Sequence, residues 1–513
     1  MAKDFQFGAV HMRAAEEDLR AKPRSEEPFL IALLGDFSGR TSRQQIQPET
    51  IETRPALLVD RDNFEEVLAK VHPRIRLPIG ERGPEELGFS ELDHFHPDHI
   101  FQHSELLRKL RDVRAATLSE TPAPLAGQPR WRPDVHLPGE RTGPQESPAQ
   151  TTARIASGNL LDAMIAETET RVPEKERTPD EVREFARRAV QPHLVPPADR
   201  RQAEMLALVD QATSALMRAL LHQPEFQALE GAWRAVFLLV RQIETSSSLK
   251  IFLMDVSKEE LASDVGSAPD LSSTRLYRNL VDRSVATPGA EPWALIVGNY
   301  SFGPGENDIR LLSRLGAVAQ AAGAPFLAAA QDALIGCDSV AATPNPQHWT
   351  KQPDTAAWPQ FRLSLQADWI GLALPRFLLR LPYGKNTSPV ELFGFEEMAD
   401  SCAHEDYLWG NPAFAGALLL AEAFNMQGWD MYPGLVAELN GLPLHVCEHN
   451  GAPELKPCAE ALLTARAAER IADLGCIPLI SVKGRDAVRI WRFQALSGRA
   501  LAGRWGRAES FLS

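Results

Sequence analysis

The stretch EPWALIVGNYSFGPGENDIRLLSRLGAVAQAAGAPFLAAA, residues 291–330, decides the fold class. Trp293 to Val297 is continuously apolar, which suits a strand buried on both faces. A polar loop follows, then an amphipathic helix from about Asp308 to Gln320, then a second apolar segment from Pro325 to Ala330. Strand, helix and strand, with both strands apolar throughout, predict a parallel pair covered on each side by helices. Gly303-Pro304-Gly305 lies between the first strand and the helix but reads as a turn. The third glycine of a phosphate loop is absent, Asp308 standing in its place, and Pro304 removes an amide donor.

Outward from this unit the same pattern repeats. Leu249 to Val256 predicts a strand, and Ser257 before Lys258-Glu259-Glu260 predicts a helix cap. Upstream, Met205 to Val240 carries apolar residues at helical spacing, interrupted at Pro224. Residues 178–190 open as a further helix at Thr178-Pro179-Asp180-Glu181. Trp369 to Leu374, Gly441 to Val446 and Ile477 to Val482 are strand candidates.

Nearer the N-terminus, Phe29 to Leu34 is an apolar run stopped by Gly35-Asp36, again a buried strand. Asp60 or Asp62 is expected to cap a helix through Phe64, Val67 and Leu68, which His72-Pro73 ends. Arg74 to Ile79 alternates polar and apolar, as a half-solvated strand does. Pro97 suits the first turn of a helix running through Ile100, Leu106, Leu107 and Leu110. Residues 121–150 hold seven prolines and little apolar periodicity, the composition of a semi-extended linker.

The 513 residues exceed what one core usually organises, and 44% are apolar. The formal charge of −14 argues against nucleic acid as the main partner, although local basic patches remain compatible with it. Five scattered cysteines without a CxxC pair suit free thiols in a reducing compartment. The first residues mix charges and lack a signal peptide's apolar core. The longest uncharged run, Leu315 to Gln331, is broken at Gly323-Ala324-Pro325, so no membrane insertion is expected and the chain reads as cytoplasmic.

Four constellations invite chemistry. His96, His99 and His103 have i, i+3, i+7 spacing with His94 beside them, and three imidazoles so placed suit a zinc or nickel ion. His445, Cys447 and His449 alternate along one strand face, with Cys458 after a turn. Both clusters read better as structural or surface residues than as metal sites. Glu259-Glu260 and Glu396-Glu397 are sequence neighbours about 100° apart on a helix and are expected to be solvated. Leu160, Leu161, Met164 and Ile165 form a short apolar face that fits either core packing or a partner's groove. No nucleophile elbow and no Walker-type loop occurs, so no catalytic residue, cofactor or metal is assigned.

FLIALLGDFSGR (29–40), RDNFEEVLAKVHPRIRL (61–77) and ELDHFHPDHIFQHSELLRKLRDV (91–113) resemble the small subunit of type VI secretion contractile sheaths (TssB, or VipA). GNLLDAMIAET (158–168), HQPEFQALEGAWRAVFLLV (222–240), LKIFLMDVSKEEL (249–261), the 291–330 stretch, LPRFLLRLPYG (374–384) and YLWGNPAFAGA (407–417) resemble the large subunit (TssC, or VipB) in collinear order. The resemblance implies an α/β architecture in two modules. Residues 1–28 are unassigned, 29–115 are small-subunit-like, 116–155 are a Pro-rich linker, and 156–513 are large-subunit-like with a helical N-terminal portion.

The resemblance also implies a non-enzymatic building block of the sheath. Its implied partners are other sheath subunits or itself, the inner secretion tube, the baseplate and a ClpV-like recycling ATPase that would recognise Leu160, Leu161, Met164 and Ile165. The chain stops soon after Phe493-Gln494, where large subunits continue. An alternative is therefore an adaptor or cap that binds true sheath subunits without polymerising, and a remote one is a metal-dependent enzyme on the histidine clusters.

Overall fold

The computed structural model describes residues 4–7, 10–13, 23, 26–77, 83–119, 200–266, 268–349, 357–398, 402–449 and 452–505. They fall into two compact units, one drawn from Met1–Val113 and Val209–Ser513, the other from Arg114–Leu208. In the second unit the described residues belong to the helices Glu105–Ser119 and Arg200–Leu221. There Gln202 Nε2 donates to the Thr117 carbonyl at 2.6 Å. The expected helix over residues 178–190 and the apolar set Leu160, Leu161, Met164 and Ile165 lie outside the described residues.

The first unit is built on a nine-stranded mixed sheet. In chain order its strands are β1 (Phe29–Gly35), β2 (Leu57–Val59), β3 (Leu249–Asp255), β4 (Leu295–Phe302), β5 (Phe326–Ala330), β6 (Ile370–Leu374), β7 (Glu438–Leu439), β8 (Ile477–Ser481) and β9 (Val488–Ile490). Their spatial order is β7-β9-β8-β6-β5-β4-β1-β3-β2. The run from β8 to β3 is parallel, and β2 on one side and β9 with β7 on the other pair antiparallel. The predicted parallel pair is β4 and β5, and the α/β class holds.

β1 shows why its sequence is apolar without alternation. Phe29, Ile31 and Leu33 enter one core with the helices Pro224–Gln242 and Pro412–Gln427, while Leu30, Ala32 and Leu34 enter the other with helix Glu306–Ala322. A strand between two helical layers has no face left for water. Each fully buried Leu or Ile side chain contributes about 1.5–3 kcal/mol of transfer free energy.

This strand links the two regions that the sequence sets apart. It comes from the small-subunit-like segment, yet it pairs along its whole length with β3 and also with β4, both from beyond the linker. A lone apolar strand cannot satisfy its backbone donors or cover its two faces. The sheet supplies both.

Local signals fix most helix ends. Ser257 caps helix Lys258–Asp264 in a capping box, accepting from Glu260 N at 3.2 Å while Glu260 Oε2 accepts from Ser257 N at 3.1 Å. Pro224 opens the second half of the long helical region, as its missing amide allows. Gly323 closes helix Glu306–Ala322 at φ 68°, the left-handed conformation glycine adopts at no cost. Helix Pro412–Gln427 is apolar nearly all round and buried, with Asn411 Oδ1 accepting from Ala413 N at 3.0 Å.

Other boundaries differ from expectation. Asn63, not Asp60 or Asp62, occupies the N-cap of helix Phe64–Val71, while Asp60 Oδ1 takes up the amides of Asp62 and Asn63 in a turn. The helix predicted from Pro97 is two, Pro97–His103 and Glu105–Ser119. Buried Ser104 is extended at the joint, its Oγ donating to Glu85 Oε2 at 3.0 Å and accepting from Leu107 N. The strand expected from Gly441 starts only at His445, because Gly441 turns at φ 74° and Leu442 N is taken by the Asp486 carbonyl. Among the described residues no helix is long and apolar enough to cross a membrane.

Candidate functional site

The most concentrated polar feature of the core is an ion network that sequence reading missed. Arg380 lies between two carboxylates. Its Nε donates to Glu230 Oε1 at 2.8 Å, and its Nη1 and Nη2 donate to Glu397 Oε2 and Oε1 at 2.7 and 3.0 Å. Glu230 also accepts from Arg234 Nε at 2.7 Å, one helical turn on, and from the Tyr383 hydroxyl at 3.3 Å. The Arg380 guanidinium stands 4.1 Å from the centroid of the Tyr383 ring.

Burial alone would push the Glu397 carboxyl up, but the Arg380 charge and hydrogen bonds hold it down at about 2. Burial likewise disfavours charge on Arg380, yet Glu230 and Glu397 keep it well above the ordinary arginine value. Tyr383 is pushed up to about 12, chiefly by burial. The network ties helix Pro224–Gln242 to the 380–397 segment. All its charges are matched and locked, which suits a structural clamp rather than proton transfer.

Glu260 and Glu397 were expected to be solvated, and both are buried. Glu260 receives both Arg54 Nη atoms at 2.7 Å and Gln47 N at 2.8 Å. Burial works to raise its pKa, and these partners leave it lowered. The 100° offset between neighbours on a helix correctly separates Glu259 from Glu260. It does not say which of the two faces the core. One signal was available for Glu230, which is four residues after Phe226 and therefore on the same helical stripe.

A cleft of about 590 Å³ opens at the carboxyl ends of β4, β5 and β6, among Asn299, Gln331, Asp332, Arg376, Asn411 and Glu460. Glu460 accepts from Arg376 Nε at 2.9 Å and from His404 Nε2 at 2.8 Å. Against the effect of burial, these bonds hold its carboxyl down at about 2. Asp332, facing the same cleft, is pushed up to about 6 by burial. The strong donors already have acceptors, so the cleft resembles a braced joint more than a reaction centre.

The histidine clusters are arranged differently from their spacing. His94 and His99 stack with centroids 3.8 Å apart, and His99 and His103 at 4.0 Å. His96 is not in that stack. It is the N-cap of helix Pro97–His103, its Nδ1 accepting from Asp98 N at 3.2 Å, because an N-cap residue has extended rather than helical backbone. Burial first, then its two imidazole neighbours, lower His99 to about 4.

His445 and Cys447 do share a strand, and the Tyr407 hydroxyl lies 2.8 Å from His445 Nδ1. Cys447 is raised to about 11 by burial and by Cys402. Cys458 is occupied elsewhere, its Sγ donating to the Pro443 carbonyl at 3.4 Å. Among the described residues no three His, Cys, Asp or Glu side chains form a group fit to hold a metal ion.

Comparison with known families agrees with these elements. The family model described as VipB, "EvpB/VC_A0108, tail sheath N-terminal domain", matches residues 203–496, more than half of the chain and every strand of the sheet except β1 and β2. The chain belongs to the VipB tail-sheath family. A second model, "Type VI secretion system, VipA, VC_A0107 or Hcp2", matches residues 10–136 and accounts for β1 and β2. Both sheath-subunit families are therefore represented in one polypeptide. The type VI secretion system sheath protein TssC1 of Pseudomonas aeruginosa is 34% identical over 293 residues, 55% of this chain. The chain spans 58% of the length of that relative. In this VipB-family chain the Glu230–Arg380–Glu397 network lies wholly within the VipB match.

Proposed function

We propose that the chain is a structural component of the type VI secretion contractile sheath, working through protein–protein interfaces around the secretion tube. The observation that carries this reading is the position of β1. The VipA-like segment contributes a central strand to the sheet completed by the VipB-like segment. A small-subunit part and a large-subunit part would then act as one rigid block, as a fixed sheath repeat requires. In this reading residues 29–115 serve as the small-subunit-like part, 116–155 as the linker, and 156–513 as the large-subunit-like part.

The block would do no chemistry of its own. Its work in the cytoplasm would be the repacking of heterologous contacts during contraction. Its partners would be further sheath subunits or copies of itself, the inner tube and the baseplate. A ClpV-like ATPase would bind at Leu160, Leu161, Met164 and Ile165. Apolar side chains left in water support surfaces of this kind. Leu363 and Leu365 are 79% and 64% exposed, and Val446 and Leu455 face each other across an exposed hairpin pair.

Negative-stain microscopy of the purified full chain tests the reading. Regularly striated tubes are the expected result. A monodisperse species that decorates separately assembled sheath would identify an adaptor instead. A monodisperse species with no affinity for sheath subunits would remove the proposal.

A further inference from the structure

A second cavity, of about 400 Å³, lies at the carboxyl ends of β1 and β3. Five cationic side chains line it, Arg40, Arg43, Arg54, Lys70 and Arg74, against one carboxylate, Asp255. Such a concentration is unexpected in a chain of formal charge −14. We infer that this cavity is a binding site for a small molecule bearing a di- or triphosphate group.

Two of the five cations are already engaged by carboxylates. Arg54 is consumed by Glu260, with both Nη atoms at 2.7 Å. Arg40 Nε is held by Asp255 Oδ2 at 2.8 Å, while Asp255 Oδ1 accepts from the amides of Phe37 and Ser38 at 2.9 Å. That carboxylate fixes the loop after β1 and has little capacity left to neutralise the cavity.

Among the described residues Arg43 donates to backbone alone, to the carbonyls of Gly39 and Ser38 at 3.2 and 2.9 Å. Among the described residues Lys70 has no carboxylate partner, and Arg74 meets Glu86 at 3.3 Å with both side chains half exposed. An exposed pair of that kind is worth little and exchanges readily for a stronger anion. Among the described residues the cavity therefore presents two cations with no carboxylate partner, Arg43 and Lys70, and a third, Arg74, shared with Glu86 and with His72 Nε2 at 2.6 Å.

The cavity opens where the loop after β1 meets the carboxyl end of β3 and the start of β2, at Ser38, Asp255 and Leu57. A concave space of this volume suits a small ligand better than a strand or helix of a partner. Guanidinium forks match the paired oxygens of phosphates, and an ammonium supplies a mobile point charge. The inference does not depend on the sheath reading.

Isothermal titration of the full chain with pyrophosphate tests it, with inorganic phosphate and ATP as parallel titrants to separate a free anion from a nucleotide. At physiological salt pyrophosphate should bind with a Kd below about 1 mM. The R43Q/K70Q double variant should weaken binding by about tenfold or more. K70Q alone carries the test if the double variant unfolds early, because Lys70 is exposed and makes no ion pair among the described residues. Absence of heat, equal affinity in the variants, or a hepta-glutamate peptide binding more tightly than pyrophosphate would overturn the assignment. The last result would give the cavity to an acidic protein segment.

Discussion

Removing the Arg380 guanidinium should expose how much the buried network holds. In R380M the methionine fills similar volume, but Glu397 loses both strong donors and Glu230 keeps only Arg234 and Tyr383. Breaking a buried pair by deleting one partner costs about 3–5 kcal/mol, because a charge remains without compensation. The depressed carboxyl gives a second estimate. Glu397 falls from 4.5 to about 2, and at 1.36 kcal/mol per unit this corresponds to about 3 kcal/mol for a side chain closed to solvent.

The sign follows from linkage. A folded value below the unfolded one stabilises above the unfolded value, and that share is lost as pH falls from about 4.5 through about 2. Urea unfolding followed by tryptophan fluorescence should therefore show E397Q about 3 kcal/mol less stable than the parent at pH 7. By pH 3 the difference should shrink to less than half. R380M within about 1 kcal/mol of the parent at pH 7, or an E397Q gap that does not change with pH, would refute the reasoning.

Leu33→Ala, in the middle of β1, should cost about 2–5 kcal/mol, read from thermal unfolding, since the side chain is fully buried and close packing prevents collapse of the void. A cost below about 1 kcal/mol would mean that β1 is not central to the core. Asp332 has the opposite sign to Glu397. Its carboxyl is raised from 3.8 to about 6, so it lowers stability as pH rises through that range. D332N should raise Tm at pH 8 and change it little at pH 4, and equal shifts at both would contradict this. Leu161→Asp should abolish capture by a ClpV-like ATPase in a pull-down with Tm unchanged. A large fall in Tm would make Leu161 a core residue instead.

Local sequence carried a good deal of this molecule. The apolar runs at 29–34 and 325–330 become strands buried on both faces, and 249–256 becomes a strand with one buried face and one half-covered by Lys250 and Phe252. Ser257, Pro224 and Gly323 mark helix ends because caps act within one turn of the backbone. The collinear motifs also sufficed for the two sheath-subunit families.

Tertiary structure alone decided the rest. β1 pairs with β3 across more than two hundred residues, and backbone pairing at that separation leaves no trace in local periodicity. It is set by which partner strand can cover both faces and complete the hydrogen-bond ladder. The buried carboxylates Glu260 and Glu397 were equally hidden, because a charge is tolerated in a core only when a distant cation such as Arg54 or Arg380 arrives to meet it. The histidine stack excludes His96 for a related reason, since its spacing suggests a shared face but the cap bends the chain away. Period and propensity act over a few residues, whereas neutralisation and sheet order depend on what the rest of the chain brings alongside.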